Sequence, residues 1–124
     1  LFRSNTTHGT GNMFSNCTNL RSINFGEHFD VSGGTSTRNM FYRCSSLTKL
    51  DLSTFNMESI TDTAGMLSGT TSLTELKTPK VYPSAANVSF GLPKTMYDAS
   101  NNAYTTLGSG SPTETLLKDT QTNQ

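Results

Sequence analysis

The feature that most constrains this chain is that it repeats itself. Residues 12–23 laid on residues 39–50 bring Asn12 over Asn39, Met13 over Met40, Phe14 over Phe41, Cys17 over Cys44 and Leu20 over Leu47, with Ile23 opposite Leu50. A third, looser copy keeps Met66, Leu67, Leu73 and Leu76 in register, and Thr70 stands where the cysteines stand. The steps are 27 and then 26 residues. Phe29 precedes Met40 by 11 and Phe55 precedes Met66 by 11, and Phe2 precedes Met13 by the same interval, so the chain opens partway through a copy. A period in this range marks stacked units, each too small to bury its own apolar edge. It predicts a repeat solenoid of about three coils, the first partial, over residues 1–77.

Each coil parses physically. Leu47, Leu50 and Leu52 have the spacing of a turn running into a short strand whose alternate side chains point inward. Residues 36–41 and 61–67 carry cap-type residues ahead of an apolar pair, which predicts one short helical or 3-10 turn opposite the strand. Stacking then places the short strands side by side in parallel, with Phe29 and Phe55 plugging each coil.

After Leu76 the pattern stops. Pro79 and Pro83 cannot join a central ladder and close the array. Residues 88–92 and 95–97 face residues 103–107 across a turn-rich connector at 98–102, the pattern of a hairpin. Residues 78–118 are therefore expected to form a β-rich C-terminal cap, and residues 119–124 a polar tail, either frayed or a linker.

Composition restricts function. Only 32% of the residues are hydrophobic, while Thr, Ser and Asn supply 48 of 124, favouring turns and hydrogen-bonded edges on an extracellular face. Nine basic and nine acidic residues cancel, and no basic stripe exists for a nucleic acid. No window approaches a membrane span, and no charged start followed by an apolar run marks a signal peptide. Because Leu1 replaces a Met start, the sequence is expected to be a piece of a larger precursor, the end of a longer array, with any signal and anchor outside it. Its N-terminal coil is then an open edge that invites self-association.

The run from Asn39 to Met57, with Met40, Phe41, Cys44, Ser46, Leu47, Leu50, Asp51, Leu52, Ser53 and Phe55, resembles the Met-Phe-x-x-Cys-x-Ser-Leu-x-x-Leu-Asp-Leu-Ser-x-Phe repeat of BspA-like leucine-rich repeat surface proteins. The likeness spans roughly residues 2–77. The first copy departs at residues 23–26, and the third loses the cysteine and the Asp-Leu-Ser run. This resemblance implies a leucine-rich-repeat-like solenoid in a secreted or wall-attached bacterial protein. It further implies adhesion to host matrix proteins or to other cell-surface proteins or glycans, and brings no catalytic residues.

Cys17 and Cys44 with His28 suggest a thiol nucleophile, yet the cysteines share one repeat slot with Thr70, which a small buried ladder position explains. Ladder side chains point in parallel, which opposes a disulfide. His8 and His28 have no ligands clustered around them for a metal, and Asp30, Asp51, Glu58 and Asp62 fall on different edges. Leu92, Pro93, Lys94 and Thr95 imitate a sortase motif, but Met96 replaces its glycine. The sequons at Asn5, Asn16 and Asn87 are expected by chance.

What is left is the outer strand face, where Arg21, Ser22 and Asn24, then Thr48, Lys49 and Asp51, then Thr74, Glu75 and Lys77 line up from copy to copy. No enzyme, cofactor or metal is expected. The expected function is a surface adhesion or protein-interaction module presenting this face, with a structural spacer projecting another domain as the alternative.

Overall fold

Five short strands make one mixed sheet in the computed structural model, which describes residues 12–25 and 31–122. They are β1 (Lys49–Asp51), β2 (Glu75–Lys77), β3 (Ser89–Tyr97), β4 (Ala103–Gly108) and β5 (Leu116–Lys118), in the order β1-β2-β5-β3-β4. β1 and β2 run parallel, β5 returns antiparallel between β2 and β3, and β3 and β4 form an antiparallel hairpin. Alternation explains the inner face. Leu50, Leu76 and Leu117 are register partners on adjoining strands and are all buried, with Phe90 and Leu107 paired further along.

The expected repeat solenoid with helical or 3-10 turns is corrected by this architecture. No helix occurs among the described residues, and the regular structure is a small mixed sheet. The segments expected to be helical instead make tight turns in succession, as when Tyr42 N–H donates to Asn39 C=O and Cys44 N–H to Phe41 C=O, both at 3.1 Å. Left-handed residues punctuate these turns at Asn12 and Asn16, Asn39 and Arg43, and Gly65 and Gly69. A right-handed helix cannot pass through a positive φ, which Asn and Gly tolerate best.

In a helix every interior amide would donate four residues back. Here alternate amides donate to the next repeat copy. Asn12, Phe14 and Asn16 N–H reach the carbonyls of Arg38, Met40 and Tyr42 at 2.8, 2.9 and 2.7 Å. Asn39, Phe41 and Arg43 N–H reach those of Ala64, Met66 and Ser68 at 2.9, 2.9 and 2.7 Å. The repeat therefore appears as a ladder between turns.

With so few apolar residues, aromatic rings carry much of the interior. Phe14 stacks on Phe41 at 5.6 Å between centroids, while Phe25 meets Phe55 edge-on at 5.1 Å, arrangements worth roughly 0.5–1.5 kcal/mol per pair beyond area burial. Phe55 is fully buried; Phe2 and Phe29 lie outside the described residues.

The sheet crosses the boundary drawn after Lys77. Residues 112–118 lie against residues 75–82: Thr78 N–H donates to Thr115 C=O at 2.9 Å, Thr115 N–H to Thr78 Oγ1 at 2.8 Å, and Tyr82 OH to Pro112 C=O at 2.7 Å. Asp119 and Thr122 are tied to the rest of the chain. Asp119 N–H donates to Thr74 C=O at 3.0 Å, Asp119 pairs with Lys94 at 3.7 Å, and Thr122 exchanges two hydrogen bonds with the Asn101 side chain.

Candidate functional site

The outer face of the sheet collects the residues singled out by the repeat. Ser22 bridges in parallel to Lys49, Lys49 is the register partner of Glu75, and Glu75 is that of Lys118. Beside this row, Asp51 partners Lys77, which partners Leu116. Signs thus alternate along the first row and oppose across the second. Lys49 Nζ stands 3.9 Å from Glu75 Oε2, an exposed pair of the kind worth about 0–1 kcal/mol.

Thr48 and Thr74 serve the ladder itself. Thr48 N–H and Oγ1 both donate to Arg21 C=O, at 3.0 and 3.3 Å, and Thr74 N–H and Oγ1 to Thr48 C=O, at 2.8 and 3.0 Å. Thr48 is exposed and Thr74 half-buried, with both hydroxyls engaged. Arg21, Ser22 and Asn24 are exposed at the edge before β1; Asn24 and Asp51 border a shallow pocket of about 220 Å³ with Ile23, Phe25 and Thr54. Of the nine predicted residues, Ser22, Lys49 and Glu75 share one ladder row, Asp51 and Lys77 another, and Arg21, Thr48 and Thr74 are joined by backbone hydrogen bonds just before them.

Sequence reasoning missed Leu116 and Lys118. Leu116 is the one large exposed hydrophobic among the described residues, at 44% exposure. It lines a pocket of about 230 Å³ with Tyr97, Asp98, Ala99, Lys118, Thr120 and Thr122. No local signal marks Leu116 and Lys118: in the three-residue β5 Leu117 faces inward and its neighbours outward. The pocket rim is fixed by Asp98. Its carboxylate accepts from Asn102 Nδ2 and N–H, both at 3.0 Å, from Ser100 N–H at 2.9 Å and from Tyr104 OH at 2.9 Å. Asn102 foremost among these donors holds Asp98 below the usual carboxylate range, and the bond to Asp98 raises the Tyr104 phenol.

The remaining candidates are not brought together. Cys17 and Cys44 carry free thiols; Cys44 is buried and donates to Phe14 C=O at 3.1 Å, and burial pushes its thiol up, away from the nucleophilic form. Thr70, in the same slot, is also buried and donates to Leu67 C=O at 2.6 Å. His8, His28, Asp30 and Asn5 lie outside the described residues. Asp62 pairs with Arg38 at 3.4 Å, away from Asp51 on the sheet face. Among the described residues no three His, Cys, Asp or Glu side chains converge on a metal position, and no helix is long and apolar enough to cross a membrane. Residues 92–96 form the middle of β3, with Met96 fully buried.

Compared with known proteins, residues 4–90 match the family described as "Mycoplasma protein of unknown function, DUF285". No curated protein and no solved structure matches the chain.

Proposed function

The chain belongs to the DUF285 family, and on that footing we propose that it is a noncatalytic adhesion or protein-interaction module of a bacterial surface protein. The single observation that carries the reading is the unbroken polar ladder Ser22, Lys49, Glu75 and Lys118 on the outer face, with Leu116 beside it. A flat row of alternating charge beside an exposed apolar side chain has the make-up of a polar rim around a small apolar centre. Contact is noncovalent, and alternating charge selects partners by complementarity more than it adds affinity.

The finer assignment is to the BspA-like surface proteins, on the Met40, Phe41, Cys44, Leu47, Leu50 and Asp51 motif. With it come a secreted or cell-surface location and partners among host matrix proteins, other cell-surface proteins or glycans. A structural spacer is the second reading, favoured by the Lys49–Glu75 pairing, which leaves the face partly self-neutralised.

Immobilised matrix proteins and glycans, titrated with the chain and with an Arg21→Glu, Lys49→Glu, Lys77→Glu variant, separate the two. An interaction module gives saturable binding that the variant loses. A spacer gives none.

A further inference from the structure

We propose that the turn edge formed by Gly65, Leu67 and Gly69 is a docking site for a short uncharged peptide segment of a partner protein, held through its backbone carbonyls. This surface is separate from the charged sheet face, so the two proposals stand or fall independently.

The repeat itself supplies the reason. In the first and second copies the amides at this turn position all donate to the copy that follows: those of Asn12, Phe14 and Asn16, then those of Asn39, Phe41 and Arg43. Gly65, Leu67 and Gly69 are their counterparts in the third copy. None of their N–H groups has a partner among the described residues. β3 starts beside this copy, where Thr63 Oγ1 donates to Ser89 C=O at 2.6 Å. It then supplies no further rung: no β3 carbonyl accepts from these three amides, and its pairing with β4 shifts register between Gly91 and Met96. What remains is a cleft of about 410 Å³ lined by residues 65–69, Thr71, Gly91, Leu92 and Pro93.

The cleft specifies its occupant. Three donors at alternate residues demand three acceptors at alternate residues, which a peptide backbone offers and most small molecules do not. No charged side chain lines the space, so a neutral segment fits and an anionic one gains no counter-ion. The volume lies within the range of pockets that enclose a small ligand. It suits a few residues of chain, not a folded domain.

The test uses the full chain and, as probe, the acetylated and amidated nonapeptide of residues 63–71, whose own Ala64, Met66 and Ser68 carbonyls already accept such bonds from Asn39, Phe41 and Arg43. In a two-dimensional NMR titration the Gly65, Leu67 and Gly69 amides are expected to move downfield saturably, while Phe41 stays fixed. Gly91→Trp fills the cleft, and a Cβ at Gly91 meets nothing within 4 Å; it is expected to abolish the shifts and leave Phe41 unchanged. If that variant does not fold, Ser68→Trp, on the facing wall, serves the same purpose. Absence of saturable shifts, or their persistence in the blocked variant, overturns the proposal. Shifts that appear without peptide as protein concentration rises assign the cleft to a second copy and overturn the partner assignment.

Discussion

The side-chain oxygen of Asn39 occupies the space in which a Cβ on Gly65 would sit. Two successive turns thus meet closely; the Asn39 amide, at the end of a flexible side chain, can turn aside from a new Cβ, so the demand for glycine rests on the φ of +69° at Gly65. Gly65→Ala is expected to destabilise the chain by about 1–2 kcal/mol through left-handed strain, with a smaller addition from displacing the Asn39 amide. Asn39→Gly, which keeps the left-handed conformation and removes the oxygen, should restore the steric part in the double variant. Urea unfolding of the four proteins in the cycle measures this coupling.

The inner ladder of Leu50, Leu76 and Leu117 joins the repeat to the C-terminal strands. Leu76→Ala opens a cavity in a fully buried position and is expected to cost about 2–5 kcal/mol. Because β2 pairs with both β1 and β5, thermal unfolding should remain a single transition at a lower midpoint. A separate early transition of residues 78–118 would contradict the joined sheet.

Tyr82 gives the chain an alkaline limit. Burial raises its phenol from 10.0 to about 12, while its OH donates to Pro112 C=O. The folded state penalises the phenolate, so this contribution is fully present below pH 10 and is lost as pH rises from 10 through about 12. Tyr82→Phe should cost about 1 kcal/mol at neutral pH through the lost hydrogen bond and flatten the alkaline decline, read from unfolding midpoints across that window.

The thiols should differ. Cys44 is fully buried, and its thiol is raised by desolvation, whereas Cys17 is half-buried. Under native conditions iodoacetamide is expected to label Cys17 first, with Cys44 reacting only through opening of the fold. Mass spectrometry of a labelling time course resolves the order.

The register of the repeat is legible because the residues defining it, Met40, Phe41, Cys44 and Leu47, occupy fully buried slots where side-chain size matters. The turn conformation is not. An apolar pair behind cap-type residues reads equally well as one helical turn or two tight turns. The deciding left-handed positions fall on Asn39, which hints at them, and on Arg43 (φ 58°), which does not. β5 escapes for another reason: three residues joined to β2 across almost forty positions of sequence leave no local pattern. The outer face is legible as far as the repeat extends, through Lys49, Glu75 and Lys77. Leu116 and Lys118 are not, because they enter it by antiparallel pairing from beyond the repeat.

The most direct test of the interaction-module reading is equilibrium binding of the chain to immobilised host matrix proteins, compared with a variant carrying Lys49→Glu, Lys77→Glu and Lys118→Glu. These three cations interrupt the acidic positions Asp51 and Glu75 on the outer face. Saturable binding by the native chain, lost in the variant with unfolding midpoint unchanged, is the predicted result. Binding that is absent, or indifferent to all three reversals, would contradict it.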